Sequence, residues 1–219
     1  MGLSATFNRL DGKHELLSKY CPACDLITVQ EAIENKWLSP YREYKVLIHA
    51  PDLDVYREAN RQFLEAFSFF DFNFNMAMSS MTNIIYRRSL AKKMGVSSKE
   101  IDAITFTWGR ALRERKSFVM DHPKKIEITR RILAARPNSK AITFSSTIKQ
   151  AEKIGNGYVV HSGKTKKKNR LTVEEFAPLT KGVIHTAKSM DEGFDCPGLN
   201  LAVILCNSSS STQKTQRVG

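Results

Sequence analysis

The chain has 219 residues, 42% of them hydrophobic, enough for one large domain or a domain and a half with a packed core, and this excludes wholesale disorder. Its 34 Lys and Arg against 22 Asp and Glu leave a formal charge of +12, which points towards a polyanionic partner. The longest apolar run, Leu199 to Cys206, is broken by Asn200 and is far too short to cross a bilayer; no charged-then-apolar leader opens the sequence, so a soluble cytoplasmic protein without a membrane partner is expected.

Residues Met1 to Pro40 read as a strand end, a helix around Lys13 to Tyr20 and an irregular crossing segment. Within it, Cys21 and Cys24 have CxxC spacing, but Cys196 and Cys206 lie ten apart in strand-like sequence. Half the ligand pattern of a tetrahedral zinc site is missing, so no metal is assigned. "SPY" at Ser39 to Tyr41 marks a turn, "YKVLIHA" (Tyr44 to Ala50) reads as a strand, and Asp54 is placed to cap the next helix. From Val55 to about Met120 the pattern is helical. Phe63, Phe67, Phe70 and Phe74 recur at spacings of four, three and four, and Met78 and Met81 continue what reads as one core-facing helix stripe. "GVSSKE" (Gly95 to Glu100) ends one helix and starts another, with Ser97 and Glu100 spaced as a capping box. Arg87, Arg88, Lys92 and Lys93, and then Arg110, Arg113, Arg115 and Lys116, read as solvated basic faces.

After Pro123 the texture alternates. Lys124 to Ala135 is an amphipathic helix, "KAITFSST" a strand, "IKQAEKIG" a short helix, "GYVVHSG" a strand, "RLTVEEFAPL" a helix, and "GVIHTAK" and "LNLAVILC" strands. Strands alternating with helices predict an α/β domain with a mostly parallel sheet covered on both faces, and such sheets bind ligands at the carboxyl ends of their strands. The polar groups fall there: Ser145 to Thr147, His161 to Gly163, Thr186 to Ser189 and Asn207 to Thr212 each follow an apolar strand. The segment "SGKTKKKNR" (Ser162 to Arg170) carries five basic residues between a strand and a helix, and reads as a phosphate-contacting loop.

Four stretches together resemble the second half of a superfamily 2 helicase or translocase, with the nearest likeness to phage helicases and the repair-helicase branch of the UvsW type. "GLSATFNR" (Gly2 to Arg9) is similar to the Ser-Ala-Thr motif that ends the first motor domain, and "AITFSST" (Ala141 to Thr147) to the strand and loop opening the nucleic-acid face of the second. "GVIHTAKSMDEGFDCPGLNLAVI" (Gly182 to Ile204) resembles the motif whose Thr or Ser touches the nucleic-acid backbone and whose Glu-Gly-x-Asp faces ATP; "STQKTQRVG" resembles the opening of the Gln-x-x-Arg-x-Gly-Arg motif.

The resemblance implies a RecA-like helicase C-terminal domain at 41–219 with a helical insertion at 55–121, and the tail of a first motor domain and linker at 1–40. It implies nucleic-acid-backbone contacts from Ser145, Ser146, Thr147, His161, Ser162, Lys166, Lys167, Lys168, Thr186 and Lys188. Glu192, Gly193 and Asp195 would face the nucleotide, Gln213, Gln216 and Arg217 would serve the catalytic motif, and Ser4, Ala5 and Thr6 would couple the two surfaces. The implied partners are DNA, with RNA as the other track, and an N-terminal motor domain. That domain would hold most of the ATP and Mg2+ site, since no GxxxxGK[ST] phosphate loop occurs in the chain. The sequence stops where the motif's arginines are due, so the expectation is one half of a motor, inactive in ATP hydrolysis alone. Two rivals stand beside it: a non-catalytic basic nucleic-acid-binding module, which the Lys-rich segment and the charge support equally, and a protein-interaction domain docking through the Phe-rich helices.

Overall fold

The computed structural model describes residues 14–20, 27–36, 39–187 and 196–205. The chain divides into two compact units, one of Met1–Leu47 with Ile126–Gly219 and one of Ile48–Lys125.

Near the amino end, α1 (His14–Tyr20) forms where the sequence predicts a helix, and α2 (Val29–Glu34) adds a turn and a half that the reading missed. Its signal is present: Thr28 accepts from the Glu31 amide at 3.1 Å, and the Glu31 carboxylate accepts from the Thr28 amide. That is a reciprocal capping box. The expected strand Tyr44–Ala50 is not one. The segment pairs with no sheet edge, and Tyr44 and Leu47 are 78% and 95% exposed, so its β-branched and aromatic residues lack the neighbours that make a strand stable.

The Ile48–Lys125 unit holds α3 (Leu53–Ser68), α4 (Phe74–Thr82), α5 (Ile84–Met94) and α6 (Ser98–Asp121). The aromatic stripe belongs to two helices, not one. Between α3 and α4 the chain turns through Asp71 and Phe72, both at positive φ, and Asn73 caps α4 by accepting from the Met76 amide. The stripe survives the turn because all of its rings converge on one target. Trp108, fully buried in α6, meets Phe63, Phe67, Phe70 and Phe74 at centroid distances of 6.0, 5.9, 6.3 and 5.7 Å. Beside it, Gly109 lets Met81 approach, since a Cβ there would lie 2.7 Å from the Met81 Sδ. Ser97 caps α6 by accepting from the Glu100 amide at 3.1 Å, one half of the expected capping box, and Gly95 closes α5 in the left-handed conformation. Asp54 does not cap α3. Asp52 is the N-cap residue without a capping bond; its carboxylate accepts instead from His122 Nε2 at 3.0 Å, which holds its pKa below the usual range, and Asp54 pairs with Arg57.

The other unit carries a four-stranded sheet in the order β2–β3–β1–β4, all neighbours parallel: β1 (Lys140–Ser145), β2 (Tyr158–His161), β3 (Gly182–Ala187) and β4 (Leu201–Ile204). Helices α7 (Pro123–Ala134), α8 (Ile148–Ile154) and α9 (Lys166–Phe176) accompany it. Strand alternation sends Ile142, Phe144 and Ile184 to one face, where they pack with Phe176 and Val173 of α9. Thr143 and His185 point the opposite way, towards α8. His185 Nε2–H donates to the Gly155 carbonyl at 2.9 Å and Nδ1 accepts from the Thr143 hydroxyl at 2.9 Å, which fixes one neutral tautomer. Lys140 lies buried under the sheet, its Nζ donating to the Ala177 and Pro197 carbonyls, each at 2.7 Å.

Two outcomes follow. Trp108→Ala opens a cavity beneath four rings and costs about 3–5 kcal/mol in urea unfolding followed by helical circular dichroism. Burial lowers the His185 pKa from its ordinary 6.5. Below that pH the unfolded chain takes up a proton that the folded chain refuses, so stability falls as pH drops from about 6.5 towards 5. His185→Gln keeps a donor for Gly155 and flattens stability across that window, before the carboxylates titrate; an unchanged slope contradicts this.

Candidate nucleic-acid interface

In a parallel sheet every strand delivers its carboxyl end to the same edge. The register sets His161, Ala187 and Ser145 abreast, with Phe144 level with Ile204. The strands are spaced about 4.8 Å apart, so the first rim positions of β2 and β1 lie roughly 10 Å from each other across β3.

After β1 the three hydroxyls have three different roles. Ser145 is 3% exposed and its Oγ is buried without a hydrogen-bond partner. Ser146 is half-buried; its amide and hydroxyl both donate to the Gln150 Oε1, each at 3.0 Å. Thr147 is the N-cap of α8, accepting from the Gln150 amide at 3.2 Å. Gln150, 2% exposed, therefore locks the whole turn: a capping box displaced by one residue, which leaves Ser146 and Thr147 at the surface in one fixed geometry.

After β2 the chain enters α9 sooner than expected. Thr165 caps the helix by accepting from the Lys168 amide, and Lys166, Lys167 and Lys168 form its first turn, not a loop. The sequence concealed this because three consecutive lysines at a helix start oppose the helix dipole; the Thr165 cap and the Arg170–Glu174 pair at 2.7 Å offset the repulsion. All three lysines are exposed, with no ion-pair partner among the described residues, and so is Ser162. Lys164 is different: its Nζ folds back onto the Val159 carbonyl at 2.6 Å.

Like Ser145, two further expected contacts face inward. His161 is 6% exposed, its Nδ1 accepting from the Gly163 amide at 3.1 Å and its Nε2 lying 3.5 Å from Glu152 Oε1. Thr186 is 2% exposed and donates to the Thr143 carbonyl at 3.0 Å. The rim thus gathers Ser146, Thr147, Ser162 and Lys166–Lys168 as accessible groups, and keeps Ser145, His161 and Thr186 beneath them. Lys188, Glu192, Gly193, Asp195, Gln213, Gln216, Arg217, Ser4, Ala5 and Thr6 lie outside the described residues, as do Cys21, Cys24 and Cys206. Gln150, Glu152 and Asn169 were not foreseen. Only Gln150 had a signal, its spacing of three from Thr147.

Charge follows the same division. Residues 126–219 hold 15 Lys and Arg against 7 Asp and Glu, so eight of the twelve excess positive charges belong to this part of the chain. Among the described residues no group of three or more His, Cys, Asp or Glu gathers where a metal could sit, and no helix is long and apolar enough to cross a membrane. Removing the cap with Thr147→Ala costs about 1 kcal/mol and raises amide exchange at Lys149 and Gln150 selectively; uniform exchange across the sheet contradicts the local role.

Residues 124–219 match the helicase conserved C-terminal domain family. Over 223 aligned positions the chain is 25% identical to the DNA 3'-5' translocase XPB2 of Sulfurisphaera tokodaii, an alignment covering 100% of this chain and 48% of that protein. The chain thus spans about half the length of the curated relative it matches. Among solved structures it is similar to domain 2 of the DEAD-box helicase Mss116p bound to an RNA duplex, at 20% identity and a TM-score of 0.35 over 42% of this chain and 41% of that one. It is also similar to the Pyrococcus furiosus Hef helicase domain, at 23% identity and a TM-score of 0.34 over 60% of this chain and 32% of that one. The four strands of the parallel sheet all lie within the residues that match the helicase conserved C-terminal domain family.

Proposed function

We propose that the chain is the C-terminal motor half of an ATP-dependent nucleic-acid helicase or translocase, and that its sheet rim holds the sugar–phosphate backbone of the track. The observation that supports this best is the rim itself. Hydroxyls of fixed geometry at Ser146 and Thr147, and the exposed Ser162, stand on the same edge as three exposed lysines. Hydroxyls and ammonium groups meet phosphate oxygens without reading bases, which suits a protein that must move along any sequence. Ser145, His161 and Thr186 support that surface from below in this reading, and Lys188 extends it.

DNA is the proposed track, because the similar translocase is described as acting on DNA; RNA is the competing one. ATP with Mg2+ would lie between this domain and a first motor domain. Glu192, Gly193 and Asp195 face the nucleotide in this proposal, Gln213, Gln216 and Arg217 complete the catalytic motif, and Ser4, Ala5 and Thr6 couple the two surfaces. Residues 1–40 are proposed as the tail of the first motor domain. Motif likeness alone supports a place on the phage and repair-helicase branch.

The test compares phosphate release, with and without single-stranded DNA or RNA, from the chain alone and from the chain fused behind the first motor domain of the similar translocase. The chain alone is expected to bind the strand with a steep salt dependence and to release no phosphate; the fusion is expected to hydrolyse ATP when DNA is added. DNA-stimulated hydrolysis by the chain alone overturns the proposal. Strand binding with an inactive fusion favours a non-catalytic basic module.

A further inference from the structure

The lysine turn is not simply exposed; it is held at a set angle. Asn169, in the first half of α9, grips the last residue of β2 with both ends of its carboxamide. Its Nδ2 donates to the His161 carbonyl at 2.9 Å, and its Oδ1 accepts from the His161 amide at 3.4 Å. The His161 carbonyl also accepts from the Lys164 amide at 3.1 Å, and the His161 ring accepts from the Gly163 amide. The connection from Ser162 to Thr165 is therefore pinned at both ends. The same pinning reaches the neighbouring loop. A Cβ on Gly163 would lie 3.0 Å from His161 Nδ1 and 3.2 Å from Ile148 Cδ1, so the turn after β2 sits directly against the first residue of α8. Glu152, one turn along α8, faces His161 Nε2.

We infer that Asn169 and His161 are positioning residues that lock the lysine turn of α9 to the hydroxyl turn of α8, presenting phosphate-binding groups at a preset spacing before any strand arrives. The inference rests on the reading of the rim as a nucleic-acid surface and adds how its spacing is fixed. A pre-ordered comb loses less conformational entropy on binding than three free lysines would, and it engages successive phosphates together. Neither residue touches the strand. Both act through the backbone of residues 162–168.

The experiment measures binding of the full chain to a fluorescent oligothymidine of about 20 nucleotides across a salt series. Asn169→Ala is expected to weaken binding about five- to tenfold at low salt and to lower the slope of log K against log salt by roughly the 0.7 that one single-strand phosphate contributes, with circular dichroism unchanged. Lys167→Ala weakens binding on its own, and in the Asn169→Ala background its further effect shrinks, because lysines no longer aligned have less to lose. Additive losses with an unchanged slope assign Asn169 a merely structural role and overturn the inference.

A second measurement does not depend on the variant folding. In the free wild-type chain the amides of Gly163, Lys164 and Lys168 are expected to exchange slowly; unprotected exchange at these three means no preset geometry exists. A wild-type chain that binds no strand sinks the rim reading and this inference with it. A wild-type chain that binds, with Asn169→Ala keeping full affinity and slope, sinks this inference alone.

Discussion

Parallel pairing of β1 with both β3 and β4 is the constraint from which the rest of the sheet-bearing part follows. Parallel neighbours cannot be joined by a tight turn, so β1 and β2 are each followed by a helical crossover, and both crossovers leave from the same edge. That edge then collects the starts of α8 and α9. Helix starts need side-chain caps, and the residues that cap best, Thr147 and Thr165 here, are small hydroxyl residues of the kind that meets phosphate. A polar rim is thus a consequence of topology first. What distinguishes this rim is the addition of charge at Lys166–Lys168 and the rigid geometry imposed by Gln150, His161 and Asn169.

Below the rim, polar groups are buried but mostly satisfied in a chain of bonds that crosses the sheet. The Thr186 hydroxyl donates to the Thr143 carbonyl, the Thr143 hydroxyl to His185, and His185 to Gly155 at the end of α8. Lys140 joins the ends of two connections at the opposite edge through Ala177 and Pro197. Removing one member of such a chain leaves its partner desolvated and unpaired, at about 1–3 kcal/mol, so these residues hold the sheet in one arrangement. Ser145, whose hydroxyl is buried without a partner, is the exception, and it stands at the end of the central strand directly under the rim.

Much of this was legible in the sequence, for identifiable reasons. Strands β1 to β4 are short apolar runs bounded by Gly, Ser or Asn, and alternation with helices gave the parallel sheet and placed polar residues at its carboxyl edge. The aromatic stripe correctly marked a core, because spacing reports which side chains are buried together; it hid the α3–α4 turn, because Phe70 and Phe74 still reach Trp108 after the chain reverses. Tyr44–Ala50 misled because β propensity records an appetite for neighbours and cannot supply them. Thr186 and His161 looked like surface contacts by position in the chain, and the pleat turned them inward. Asn169 was invisible, since a single polar residue on a helix carries no pattern; its importance lies in which backbone it reaches across eight residues of sequence.

The central claim is that the rim of the sheet is where this protein meets its track. The most direct measurement follows backbone amide chemical shifts while oligothymidine is added to the full chain. The account predicts that Ser146, Thr147, Ser162, Gly163 and Lys166–Lys168 shift together and saturate with one affinity. Shifts confined to α3–α6, or to the amino edge of the sheet around Lys140 and Gly182, with the rim unmoved, would contradict it.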